Sequence, residues 1–448
     1  MISETFRLQN RQRSDLQQTL QTLPYLLDRH VGVIQSVEYY PVRYNDPQLV
    51  HCHAMMSDVS RITGRSSNRS NGGTALTEDA AMAKAIGESV ERYSADVYMP
   101  TVLRAAYRDV KDRAIDPRRF ALFHPSQYRT ANFPFAPITE DTEIGWVEGF
   151  SLSQNKPVLV PALLVDLGYT AYSHEEVFEL TPVSGYACGN TLEEAILSGL
   201  YEVVERDSFM VFWYNWLPVS AIDLRSFASP QIKQVLDRYH SAPVRIFCSS
   251  ITTDTQIPAV LAVMTSRQPG WPAAIVATAA DLDMERAVIR ALFELSANHL
   301  FIRSVFEAGH PVPRTPQQVS TQEDHGLFYC TAERLAGLDP VLRPRWRKRA
   351  QDFTSKASAD VKTNIDTCVR QLSDLGLEAI AVEITASDVS ELGFRVVKVL
   401  VPGMQPIDFG MQWPHLGGRR LYEAPGRAGY RQTRTQPWEM NLFPHPFP

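Results

Sequence analysis

Cysteine is scarce in this 448-residue chain: Cys52, Cys188, Cys248, Cys330 and Cys368 are scattered, odd in number and without a C-x-x-C pair. That excludes a disulfide scaffold, and the five read as reduced thiols. Long apolar runs are absent too. Nothing approaches the ~18 residues of a membrane span, and the opening MISETFRLQNRQRSDLQQ has no apolar core of signal-peptide length. A soluble, cytoplasmic protein is expected. Positive charge is not in excess, with 44 Lys and Arg against 50 Asp and Glu and a net charge of -6, so neither nucleic acid nor a membrane is expected as a partner. The sequence also lacks G-x-x-x-x-G-K-[ST], G-x-G-x-x-G after a strand, a kinase catalytic loop, H-E-x-x-H and G-x-S-x-G.

What is present is one pattern used twice. Glu88, Glu91 and Arg92 in AKAIGESVERYSADVY, and Glu202, Glu205 and Arg206 in LSGLYEVVERDSFMVFWYN, both read E-x-x-E-R. On a helix, the two carboxylates share a face with the Arg four residues past the first Glu. On an exposed helix such i,i+4 pairs add only about 0.3–0.5 kcal/mol and need no function. The second copy, however, lies among Ile196, Leu197, Leu200, Tyr201, Val203, Val204, Phe209, Val211 and Phe212. Ionised groups in such a run need a cation, metal or ligand beside them. The copies align at a constant offset (202 − 88 = 114), pairing Thr77 with Thr191, Ala81 with Ala195, Val90 with Val204 and Ser94 with Ser208. Two such helices packed together would gather four carboxylates. Hard oxygen ligands suit magnesium, which keeps waters and phosphates in its shell, so a nucleoside triphosphate is the expected companion. Arg92, Arg206 and Arg290 are candidate phosphate partners.

Periodicity predicts a helix over 16–30, helices starting at Thr77, Thr191 and Asp283, and another over 359–375. Glu194 is placed to form a capping box with Thr191. Strands are expected after residue 30 and over 146–150, 157–165, 182–186, 244–249, 258–265, 378–385 and 394–401, with a polar, glycine-ended loop over 66–73. The basic stretch 343–349 reads as a solvated loop or helix start. His51, Cys52 and His53 read as a half-buried strand in preference to a metal site. The whole suggests one α+β domain with α/β-like loop–helix units: an N-terminal helix and strand region over 1–60, and a catalytic domain over 61–448 with a Pro-rich tail.

These segments resemble the YcaO family over most of the chain. The resemblance is carried by GGTALTEDAAMAKAIGESVERY, SGYACGNTLEEAILSGLYEVVERD, AVIRALFELSAN, the TxxDVxELGFxVVKVLVPGMQP stretch and the terminal Pro444, Pro446 and Pro448. It implies a YcaO-type fold holding ATP and magnesium, with Glu88, Glu91, Glu202 and Glu205 as metal ligands and Asn190, Glu194 and Arg206 as nucleotide contacts. Lys84 stands where the family often has Ser, and Thr74 where it often has Lys. Lys84, one turn before Glu88, is therefore the candidate cation on that helix. In the third helix, Glu294 is retained, but Ala297, with Asn298 beside it, replaces the family's Gln.

The Pro-x-Pro-x-Pro tail resembles that of azoline-forming cyclodehydratases, where it reaches the active site. Proline restricts φ, so such a tail threads into a pocket at modest entropic cost. The resemblance implies an ATP-dependent cyclodehydratase that turns Cys, Ser or Thr of a ribosomal precursor peptide into thiazoline or oxazoline by phosphorylating the backbone amide oxygen. The Pro448 carboxylate is then the candidate base. It further implies a leader-peptide-binding partner related to ubiquitin-activating enzymes. A flavin dehydrogenase is a further candidate partner, and a homo-oligomer is expected. The alternatives are a thioamide-forming or methylthiotransferase-accessory member and a non-catalytic ATP-binding scaffold.

Overall fold

The computed structural model describes residues 2–64, 68–173, 175 and 177–448. Three sheets and a few long helices form an α+β fold. The first sheet is antiparallel, β1 (Ile34–Tyr39), β2 (Val50–Met56) and β3 (Ser70–Ala75). The second joins β4 (Leu103–Ala106), β5 (Glu143–Ser151), β13 (Ile380–Glu383), β14 (Arg395–Leu400) and β7 (Tyr186–Gly189), with β6 (Lys156–Pro161) paired to β5. The third runs in the order β11 (Ala274–Ala280), β10 (Ala259–Ser266), β9 (Val244–Ser250), β8 (Ser220–Ile222) and β12 (Trp346–Lys348).

Helix α1 (Glu78–Val97) follows β3, α2 (Leu192–Asn215) follows β7, and α3 (Met284–Glu307) follows β11. Each starts on a side-chain cap: Thr77 accepts from the Ala80 N–H, Thr191 from Glu194, and Asp283 from Arg286. Helix α2 is largely apolar and mostly buried, with Glu202, Glu205 and Arg206 turned toward one cavity. It packs against β7 and β14 on one side and against β10 and β11 on the other. Helix α4 (Val361–Ser373) lies along it. Among the described residues no helix is long and apolar enough to cross a membrane, and all five cysteines are free.

Several expectations need correction. The 66–73 loop is largely strand β3; residues 66 and 67 lie outside the described residues. Its glycines serve close approach, since a Cβ on Gly73 would stand 1.9 Å from the Ala81 carbonyl oxygen of α1. The 16–30 helix breaks into Leu16–Leu20 and Leu23–Leu26, because Pro24 suits only a helix start. The 182–186 strand shifts to Tyr186–Gly189, where β14 offers its pairing edge. The 157–165 strand stops at Pro161 and gives way to a 3-10 turn over Ala162–Leu164. The basic stretch carries the edge strand β12, parallel to β8. Strand β11 was not foreseen: AIVATAA is buried at every position and has no period-2 alternation.

Candidate nucleotide and metal site

The three strand–cap–helix units carry equivalent side chains, of which Glu202 and Glu294 line one cavity. Glu88, Glu202 and Glu294 each stand eleven positions beyond their caps Thr77, Thr191 and Asp283. Glu88 accepts from the Gly72 N–H (2.7 Å) and Glu202 from the Gly185 N–H (3.1 Å), so a glycine backbone steadies the first carboxylate of both copies. Glu91, Glu202, Glu205, Arg206, Arg290 and Glu294 line an open cavity of about 250 Å³. The third unit escaped a search for E-x-x-E-R because Ala297 and Asn298 stand at the places of Glu91 and Arg92. The equal distance from cap to first Glu was the legible signal.

The electrostatics are those of carboxylates short of positive charge. Burial first, then Glu202 and Glu88 against the opposing pull of Arg92, pushes Glu91 up to about 8. Burial likewise raises Glu88, Glu202 and Glu294, the last also through Glu88. Glu205 accepts hydrogen bonds from Thr278 Oγ1 (2.6 Å) and Arg206 Nη1 (2.8 Å). Arg206 also pairs with Glu202 at 3.7 Å, as Arg92 does with Glu88 at 3.9 Å. Lys84 donates to the Thr74 carbonyl (2.7 Å) and lies 4.4 Å over the Phe293 ring. Burial, then Arg290, pulls it down to about 8. Arg290 donates to the Ala280 carbonyl (3.2 Å).

This donor set fits a magnesium–nucleotide pair. Hard oxygens from three helices face arginines, and a divalent cation would relieve carboxylates that burial drives toward protonation. Among the described residues no three His, Cys, Asp or Glu side chains enclose an ion unaided. Magnesium held there would draw its remaining ligands from water and phosphate. His51 is not a ligand in this arrangement. It lies between Thr74 Oγ1 (2.9 Å) and Ser296 Oγ (3.1 Å), pushed down to about 4 by burial.

Asn190 and Glu194 lie apart from the carboxylates, at the start of α2. From Glu194 to Glu202 the helix rises about 12 Å, so only an extended ligand touches both ends. The expected capping box is only half formed. Glu194 N–H donates to Thr191, but the Glu194 carboxylate turns to Asn190 N–H (3.1 Å) and Ser14 N–H (2.6 Å). The N-terminal segment supplies the better-placed donors. Ser14, Gln9 on Glu193 (2.6 Å) and Arg11 therefore join this end, lining or bordering a second cavity with Asn190. Nothing in their polar surroundings marked them in sequence.

The tail is threaded through the core toward Arg206. Residues 444–448 are buried throughout. Trp213 Nε1 donates to the Phe443 carbonyl, Tyr329 OH to that of Pro444 and His325 Nδ1 to that of His445, each at 2.8 Å. The His445 ring stacks on His325 at 3.8 Å. Phe447 then places its ring 4.2 Å beneath the Arg206 guanidinium, and Pro448 packs against Gly326.

The family model described as YcaO cyclodehydratase, ATP- and Mg2+-binding, matches residues 72–405. An uncharacterized protein of Methanothermobacter thermautotrophicus is 27% identical over 359 residues, 78% of this chain and 84% of that protein. A heterocyclase solved in complex with substrate and cofactor is 27% identical and superposes with a TM-score of 0.83 over 99% of this chain but only 59% of its own. The chain thus spans less than two thirds of that heterocyclase. YcaO from Methanopyrus kandleri, solved with AMPPCP and Mg2+, shares the fold at a TM-score of 0.62 and 20% identity, covering 88% of this chain and 91% of that one.

Proposed function

The chain belongs to the YcaO family, and from that membership we propose that it is an ATP-dependent cyclodehydratase acting on Cys, Ser or Thr of a ribosomally made peptide. The observation that carries this reading is the meeting of two features at Arg206: the carboxylate helices on one side and the buried Pro-x-Pro-x-Pro tail on the other.

In this reading the substrate thiol or hydroxyl adds to the preceding amide carbonyl, forming the ring bond and an oxyanion. When bound, ATP with magnesium supplies the phosphoryl group and charge neutralisation that make the amide oxygen leave as phosphate. The chain's own residues do the rest. Glu88, Glu91, Glu202 and Glu205 hold the cation, with Glu294 facing them. Arg92, Arg206, Arg290 and Lys84 hold phosphate oxygens, while Asn190 and Glu194 hold the nucleoside end. The Pro448 carboxylate takes the proton released on ring closure, and Pro444 and Pro446 fix its approach. Overall, ATP and peptide give ADP, phosphate and an azoline, the lost amide oxygen residing in the phosphate. A leader-binding partner protein delivers the precursor.

The test is a magnesium-dependent assay with partner and a Cys-containing precursor. ADP release with a product lighter by one water per ring supports the reading. Replacement of oxygen by sulfur would instead indicate a thioamide, and ATP binding without turnover a scaffold.

A further inference from the structure

Lys398 takes no part in the proposed chemistry, yet its placement is costly. It sits fully buried on β14, opposite Tyr186 of β7, and an ammonium is tolerated at such depth only where its donors find acceptors. Here the acceptors are carbonyls. Lys398 Nζ donates to Ser184 (2.8 Å) and to Pro182, and stands 3.9 Å from the centre of the Tyr186 ring. Burial pulls it down to about 7, against Glu202 and Glu91, which favour its charge.

The two carbonyls belong to the turn whose next residue, Gly185, donates its N–H to Glu202 (3.1 Å). That turn is gripped twice from β14, since the Val399 N–H also donates to the Gly185 carbonyl (2.7 Å). Gly185 has φ +91°, and a Cβ there would stand 2.3 Å from the Val399 carbonyl oxygen. The first unit reaches the same end by another route. Lys84 of α1, over the Phe293 ring, donates to the Thr74 carbonyl, two residues past the Gly72 whose N–H meets Glu88. At the matching place of α2 stands Ser198 (198 − 84 = 114), so the ammonium comes from β14 instead. Two buried lysines on unrelated elements thus tie down the backbone beside two equivalent carboxylates.

We propose that Lys398 is a positioning residue for magnesium: by holding the 182–184 backbone it fixes the Gly185 N–H against Glu202, and so sets how that carboxylate meets the cation. The inference rests on the reading of Glu202 as a metal ligand. Partners that orient a ligand in this way govern metal affinity without touching the metal.

The test uses the full chain and two variants, Lys398→Met, which keeps the side-chain length without donors, and Lys398→Gln, which keeps two donors without the charge. Without metal, hydrogen exchange over residues 182–189 should quicken about tenfold in Lys398→Met, with β3 unchanged. The magnesium concentration for half-maximal AMPPCP binding should rise about tenfold in Lys398→Met and less in Lys398→Gln, while AMPPCP affinity at saturating magnesium stays within about twofold. Unchanged exchange, or faster exchange with unchanged magnesium dependence, overturns the proposal. So does an equal loss of AMPPCP affinity at every magnesium concentration, which marks a merely structural lysine. Should Lys398→Met fail to fold, Lys398→Gln against wild type decides by the same two measurements. Wild-type magnesium dependence in Glu202→Gln would overturn the ligand reading itself, and this inference with it.

Discussion

Helices α1 and α2 carry the same E-x-x-E-R, yet they live in different surroundings. Helix α2 is clasped between two sheets, and its Arg206 side chain is 17% exposed, tied to Glu205, Glu202 and Thr278 and stacked on Phe447. Arg92 of helix α1 is 41% exposed and pairs with Glu88 only at 3.9 Å. One motif has therefore divided its labour. The buried copy is a structural hub, whereas the outer copy is tied more loosely, and under the proposed function its charge is the more available to a ligand.

That division can be broken most visibly at Arg206. Arg206→Met leaves Glu205 buried without its cation and should cost about 3–5 kcal/mol, seen as a lower denaturation midpoint, together with loss of nucleotide binding. An unchanged midpoint would contradict the hub role. A smaller effect is expected at His415, which supports the tail side of Arg206. His415 is held between Glu179 (Nε2, 2.6 Å) and Asp408, whose backbone carbonyl bonds His445. Burial opposes its charge, but Glu179 and Asp408 outweigh that and hold the imidazolium well above its usual range. A raised folded value stabilises fully below the unfolded value of about 6.5 and is lost as pH climbs through the folded one. Wild type should therefore lose stability from neutral to alkaline pH more steeply than His415→Gln in denaturant titrations; parallel profiles would count against the imidazolium. The smallest stability effect belongs to Arg92→Met, at most about 1 kcal/mol for so exposed a pair. Its AMPPCP affinity should nonetheless fall about tenfold or more. A large stability loss with unchanged affinity would reverse the comparison.

The motif helices were legible because caps, periodicity and charge spacing agree locally: Thr77, Thr191 and Asp283 mark three starts, and the helices begin there. Partners were harder to read than elements. Glycines at 72 and 73 look like loop from sequence, and only the packing of α1 against β3 turns them into a strand. Strand β11 hides because burial on both faces erases alternation. Glu194 meets Ser14 across 180 residues of chain, a pairing that no local pattern encodes. The site's carboxylates were readable one helix at a time, but their division between a hub and a looser copy depends on which sheets enclose each helix.

The most direct test separates the two features that meet at Arg206. Removing Pro446, Phe447 and Pro448 should leave magnesium-dependent AMPPCP binding in place, because the carboxylates and arginines remain, while abolishing ring formation on a Cys-containing precursor assayed with the partner. Full ring formation by the truncated chain would contradict the account.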